Sequence, residues 1–165
     1  MRTMATSQHP ADILEACEPP VSAARSRNMS AIRGKDTAPE IVVRRALHRM
    51  GFRFRLHSTS LPGRPDIVLT RHRAAIFVHG CFWHRHDGCR FASTPSTRRK
   101  FWADKFERNV HRDWRNIQDL RRMGWRVLVV WECALRKRTP DDPIVAQLLR
   151  TWMSSASKQD QITTT

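Results

Sequence analysis

Between Pro39 and Met50 the apolar residues Val43, Ala46, Leu47 and Met50 recur at helical spacing, which predicts an amphipathic helix. Asp36 or Thr37 is placed to cap it, Pro39 suits its first turn, and Gly51 ends it. FRFRLH (52–57) then alternates apolar and basic residues, the pattern of a half-buried strand. LPGRPD (61–66) is turn-forming, because two prolines and a glycine break any regular element. IVL (67–69) and AAIFV (74–78) predict short strands around an Arg/His turn, and neither has a polar face, which puts both inside a sheet. GCFWHRHDGCRFASTPST (80–97) is a long aperiodic loop, a length that in a small domain marks a functional or a disordered segment. The longest helix is predicted from Arg98 to Met123, with Phe101, Trp102, Lys105, Val110, Trp114, Ile117, Leu120 and Met123 near three-to-four spacing. WRVLVVW (125–131) reads as a buried strand and Pro143 to Met153 as a last helix. The order predicts an α/β layer fold with a mixed central sheet flanked by helices. Residues 1–24, with Pro10, Pro19 and Pro20, read as a flexible leader, and residues 154–165 as a flexible tail, leaving one domain over 25–153.

Composition changes this picture through charge. Thirty Lys and Arg against fifteen Asp and Glu give a net charge of +15. Such a surplus attracts polyanions, so nucleic acid is the first-choice partner, ahead of an anionic membrane surface or a merely solvated basic exterior. No apolar run approaches the roughly 18 residues of a membrane span, and the first twenty residues lack the apolar core of a secretory signal. The chain is therefore expected in the cytoplasm, where its four cysteines point to metal or to chance rather than to disulfides.

Chemistry is expected to begin at Asp66, which opens the strand IVL behind a proline that suits a strand mouth. A carboxylate on such a rigid support suits Mg²⁺, which binds through one or two carboxylates plus phosphate and water; a turn-capping Asp paired with Arg64 is the alternative. If the next strand pairs with IVL, His79 and His84 of VHGCFWHRH (78–86) stand near that metal, with the pKa needed to activate water. Glu40 can orient such a histidine or hold metal-bound water. Each histidine has a plainer alternative as a surface residue or a core hydrogen-bond donor.

Cys81, His86 and Cys89 lie in one loop, and Cys133 follows the strand WRVLVVW. Together they make a closed tetrahedral site for structural zinc, with His84 as a competing ligand and ordinary buried thiols as the alternative. Phe82 and Trp83 sit in the same polar loop, where large apolar residues either tuck into the core or wedge between DNA base steps. Trp102 and Met29 can assist that wedge, although core packing explains Trp102 equally. RSRNMSAIRGKDT (25–37) reads as an arm along a phosphate backbone, through Arg25, Arg27, Asn28, Arg33 and Lys35, or as a solvated linker. STRRK (96–100) places positive charge at a helix start, a conflict that a phosphate would relieve.

The stretches RSRNMSAIRGKDTAPE, LPGRPD, FVHGCFWH, FWADKFERNVHRD and GWRVLVVWECAL resemble the very short patch repair endonucleases, over residues 25–136. That resemblance implies a restriction-endonuclease-like core and nicking 5′ of the thymine in a thymine–guanine mismatch, such as deamination of 5-methylcytosine leaves. It implies Asp66 as a Mg²⁺ ligand, joined by the Val78 backbone carbonyl, with His84 as general base supported by Glu40 and with His79 near the phosphate. It further implies structural zinc on Cys81, His86, Cys89 and Cys133, and a wedge of Met29, Phe82 and Trp83 helped by Trp102. A monomer and a mismatch-repair coupling partner are also implied. Two features depart from the family pattern: Val78 stands where Thr is frequent, and the loop DGC (87–89) is one residue longer; AAIFVH also lacks the acid and Lys of the wider nuclease superfamily, which leaves His to serve the water. The rivals are a related nuclease with another DNA target and a non-catalytic, zinc-stabilised DNA-binding module.

Overall fold

The computed structural model describes residues 34–163. The leader with Cys17, and the arm residues Arg25, Arg27, Asn28, Met29 and Arg33, lie outside the described residues. The elements run α1 (Ala38–Arg49), β1 (Arg55–Leu56), β2 (Ile67–Leu69), β3 (Ala74–His79), α2 (Arg99–Arg122), β4 (Arg126–Trp131), α3 (Glu132–Leu135), α4 (Pro143–Ser154) and β5 (Gln159–Ile162). The sheet has five strands in the order β1-β2-β3-β4-β5. β1–β2 and β2–β3 pair antiparallel, whereas β3–β4 and β4–β5 pair parallel, so the sheet is mixed.

The apolar strands divide their side chains between two helical layers. Ile67, Leu69, Ala74, Ile76, Leu128 and Val130 pack with Val43, Ala46 and Leu47 of α1 and with Val145, Leu149 and Trp152 of α4. The alternate residues Val68, Ala75, Phe77 and Val127 pack with Leu61 and with Leu120 of α2. This period of two explains why β2, β3 and β4 show no polar face: each face is roofed by helix. Burial of each such side chain contributes about 1.5–3 kcal/mol.

Three expectations change. The strand from FRFRLH shrinks to Arg55–Leu56. Phe52 and Phe54 still lean on the core, but Leu56 is exposed and His57 turns left-handed at φ 48°, which ends the alternation. On α2 the buried residues are Trp102, Phe106 and Leu120, while Phe101, Val110, Trp114 and Met123 face outward. The expected stripe mixed two faces because it overlooked Phe106. Residues 159–162, expected within a flexible tail, form β5 beside β4, with Ile162 buried against the α1–α4 layer. Backbone pairing can recruit a polar segment such as QDQI that carries little apolar pattern.

Gly63 positions the LPGRPD turn. Its φ is 73°, and a Cβ there would fall 2.9 Å from Cβ of Asn116 on α2. Gly63→Ala is expected to lower stability by roughly 1–3 kcal/mol, since it combines left-handed strain with a clash. Urea unfolding midpoints check this; an unchanged midpoint would mean that the turn does not depend on that approach.

Candidate active site

Asp66 stands at the mouth of β2 behind the fully buried Pro65. Because β2 and β3 are adjacent and antiparallel, its side chain reaches the neighbouring strand. The Val78 N–H donates to Asp66 Oδ2 at 2.7 Å. Burial pushes the Asp66 carboxyl up to about 6; the Val78 hydrogen bond opposes the rise and the charge of Glu40 adds to it.

His79 ends β3, and burial drives it down to about 3, which keeps its ring neutral. His84 stacks on it with centroids 3.8 Å apart and planes at 9°. The other edge of His84 meets α2, where Nδ1 lies 2.5 Å from Asp113 Oδ2. Burial raises Asp113, but hydrogen bonding to His84 and to the Arg112 guanidinium outweighs it and holds the carboxyl below the usual range. An ionised Asp113 makes Nδ1 the protonated nitrogen of His84 and leaves Nε2 as the basic one. The CFWH loop that carries His84 is itself tied down. The His84 N–H donates to the Gly80 carbonyl at 3.1 Å, and Asn109 Nδ2 of α2 donates to the Trp83 carbonyl at 3.1 Å.

A second acidic group borders the first. Glu40, in the first turn of α1, is only 3% exposed. Its carboxylate accepts from the Thr37 hydroxyl at 2.8 Å and the Asp36 N–H at 3.2 Å, and it pairs with Arg44. His57 stands between the groups, with Nε2 3.8 Å from Glu40 Oε2 and Nδ1 3.8 Å from Asp66 Oδ1.

Asp66, Glu40, His57, Val78, His79, Trp83, His84, Asp113 and Lys35 all line one cavity of about 1040 Å³. Asp66, His79 and His84 therefore face the same cavity. One expected pairing is not made: the carboxylate bonded to His84 belongs to Asp113, whereas Glu40 faces His57 and Arg44. Two site residues went unread. Asp113 was legible as one of three polar residues, Asn109, Asp113 and Asn116, at helical spacing on a face that also carries Phe106, Ile117 and Leu120. His57 carries no such signal, because only its left-handed turn brings it into the cavity.

Cys81, His86, Cys89 and Cys133 also converge, with one ligand atom from each inside a 4.8 Å span. His86 Nδ1 lies 3.3 Å from Cys133 Sγ and 3.7 Å from Cys81 Sγ, and its ring stacks on Trp131. Burial pushes the Cys81 thiol up to about 12, a penalty that a bound cation would reverse. This spacing and donor set suit a tetrahedral metal.

Phe82 makes edge contacts with Trp83, Trp102 and Phe106. Phe82 and Trp83 are half-buried, while Trp102 is buried and supports them from beneath. No described helix is long and apolar enough to cross a membrane.

Comparison with known proteins supplies the family. The family model for DNA mismatch endonuclease Vsr matches residues 20–90. DNA mismatch endonuclease Vsr of Escherichia coli (strain K12) is 46% identical over 143 residues, which cover 86% of this chain and 91% of that protein. Type II nicking enzyme V.XorIIP of Xanthomonas oryzae pv. oryzae is 51% identical over 107 residues, 65% of this chain and 78% of the relative. The catalytic domain of homing endonuclease I-Bth0305I matches 73% of this chain and 100% of its own, at TM-score 0.47 and 22% identity, too loosely to assign the fold. The first two relatives set aside a non-catalytic binding module. The chain belongs to the DNA mismatch endonuclease Vsr family and is a DNA endonuclease.

Proposed function

We propose that this endonuclease nicks one strand of double-stranded DNA 5′ of the thymine in a thymine–guanine mismatch, with Mg²⁺ at Asp66 and His84 as general base. The observation that carries this reading is a buried, raised carboxyl in the same cavity as an imidazole whose Nδ1 is fixed by Asp113. Asp66 fits a cation: it is largely buried, no Lys or Arg among the described residues pairs with it, and His57 stands 3.8 Å away. The Val78 carbonyl joins Asp66 in holding it. When bound, Mg²⁺ polarises the scissile phosphate and lowers the pKa of the attacking water.

The chain's own groups do the remainder. His84 Nε2 takes the proton from water, and Asp113 stabilises the imidazolium that results. His79, neutral and stacked beneath His84, keeps that ring in plane and stands near the phosphate. Glu40 lends negative charge beside Asp66 and strengthens the pull on a cation. Attack by water leaves 3′-hydroxyl and 5′-phosphate ends.

Zinc on Cys81, His86, Cys89 and Cys133 would clamp the CFWH loop to β4. Phe82 and Trp83 would wedge beside the mismatch, with Met29 from the other side and Trp102 as their support. A mismatched step costs less to unstack, so insertion itself discriminates. Arg25, Arg27, Asn28, Arg33 and Lys35 would follow the phosphate backbone. We further assign a restriction-endonuclease-like core with its functional domain over 25–153, a monomer, a cytoplasmic place at the DNA, and a mismatch-repair coupling partner. The substrate is the lesion left when 5-methylcytosine deaminates, and nicking opens very short patch repair. The type II nicking enzymes among the relatives favour one alternative, a related nuclease with a different DNA target.

With a labelled duplex carrying a single T:G pair, nicking is expected only with Mg²⁺ and much faster than on the matched duplex. Equal rates on both would overturn the mismatch assignment. Asp66→Asn is expected to abolish nicking while keeping DNA affinity. The same variant is expected to be more stable than wild type above pH 6 without added divalent cation. Asp66 is raised from 3.8 to about 6, so only the folded chain holds its proton between those values and wild-type stability falls as pH rises through them. The gain is up to about 3 kcal/mol, read from unfolding at pH 4 and pH 8; equal stability at pH 8 would contradict the burial penalty. Asp113→Asn is expected to cut the nicking rate by about 10²–10⁴-fold with binding unchanged, and a rate near wild type would remove Asp113 from the mechanism.

A further inference from the structure

Beside the cavity, Arg44 makes more contacts than a helix salt bridge needs. Its Nη1 pairs with Asp36 and its Nη2 with Glu40, and Nη2 also lies 2.9 Å from Nε2 of His57. Its side chain is 12% exposed. Two features of the cluster are costly. Arg44 Nε is buried with no hydrogen-bond partner among the described residues, which leaves a desolvated donor unsatisfied. His57 holds φ 48°, a left-handed conformation that non-glycine residues rarely adopt. A salt bridge selected for stability alone requires neither; strain and unsatisfied groups gather where geometry serves function.

The geometry has a chemical consequence. Guanidinium nitrogens only donate. At 2.9 Å His57 Nε2 therefore accepts from Arg44, while the Asp36 and Glu40 oxygens beside it stand at 3.7 and 3.8 Å, beyond hydrogen-bond reach, and the ring hydrogen sits on Nδ1. That nitrogen is the one turned toward Asp66, at 3.8 Å from Oδ1. The other Asp66 oxygen, Oδ2, already accepts from the Val78 N–H. The Val78 hydrogen bond fixes one side of the carboxylate, and the Nδ1–H dipole faces the other across 3.8 Å, beyond direct hydrogen-bond distance.

We propose that Arg44 and His57 are positioning residues: Arg44 fixes His57 as the Nδ1–H tautomer, and His57 then orients the Asp66 carboxylate toward its cation. This rests on the reading of Asp66 as the metal ligand. Neither residue touches the reacting atoms. Arg44 also pairs with Glu40 and Asp36, which occupies their oxygens and leaves the cation to Asp66. Groups that orient a ligand in this way typically change metal affinity by about 10–100-fold.

Two measurements on the full chain test the proposal. Long-range ¹H–¹⁵N NMR without added divalent cation reads which ring nitrogen of His57 carries hydrogen. The expected result is Nδ1–H in the wild type and a mixture of tautomers in Arg44→Met. Nε2–H in the wild type, or an unchanged tautomer in Arg44→Met, would overturn the proposal. Should Arg44→Met not fold, the wild-type spectrum and the His57 variants decide alone. In the second measurement, Mn²⁺ is titrated calorimetrically into the protein bound to a T:G duplex with an uncleavable linkage. His57→Gly, which fits the left-handed backbone but carries no donor, is expected to weaken Mn²⁺ binding about tenfold. His57→Asn, which tolerates the same backbone and offers an N–H near the Nδ1 position, is expected to restore affinity close to wild type. Wild-type affinity in His57→Gly, or no rescue by Asn, overturns the positioning role. Asp66→Asn separates the two levels: if it binds Mn²⁺ normally, the metal-site reading fails; if it loses Mn²⁺ while His57→Gly does not, only the positioning inference fails.

Discussion

One contact organises the catalytic end of this molecule: the Val78 N–H, at the end of β3, held by the carboxylate of Asp66 at the start of β2. It exists because β2 and β3 are antiparallel neighbours, which brings the entrance of one strand beside the exit of the other. From Val78 the chain steps to His79, whose ring stacks on His84, whose Nδ1 meets Asp113 on α2. Strand ends, loop and helix thus present their polar groups to one cavity. The cost is a carboxyl raised to about 6 in a partly desolvated place, a penalty that falls on the metal-free protein.

The cysteine cluster solves a different problem. Residues 80–97 supply little apolar surface of their own, yet must hold Phe82, Trp83 and His84 in place. Cys81 and Cys133 are buried against Val129 and Trp131, and His86 stacks on Trp131, so the cluster binds the loop to the strand that carries the core. Arg85 reinforces the loop by donating to the carbonyls of Ala92 and Ser93. A loop tied down through both the cysteine cluster and α2 keeps His84 facing the cavity that Asp66 lines from the neighbouring strand.

Most elements were legible because the periods of their apolar residues were clear. VLVV and AAIF are uniformly apolar, and the strands they form are covered on both faces. Asp66, His79, His84 and the four cysteine-cluster ligands stood out because polar residues with metal chemistry interrupted those runs. What escaped depends on three-dimensional placement. β5 is fixed by hydrogen bonding to β4 rather than by hydrophobic pattern. Asp113 shares a half-apolar face of α2 with Asn109 and Asn116, a signal that marks the face, and the facing loop selects Asp113 from the three. His57 reaches the cavity through a backbone turn that no side-chain pattern encodes. Glu40 was found as a residue but given the wrong neighbour, because sequence order places it near neither histidine.

The most direct test is anomalous diffraction at the manganese edge from crystals of this protein bound to a T:G duplex with an uncleavable linkage. The account places one manganese against the Asp66 carboxylate, with the phosphate on its 5′ side of the thymine and the His84 imidazole facing that phosphate. A metal bound away from Asp66, or a scissile phosphate out of reach of His84, would contradict it.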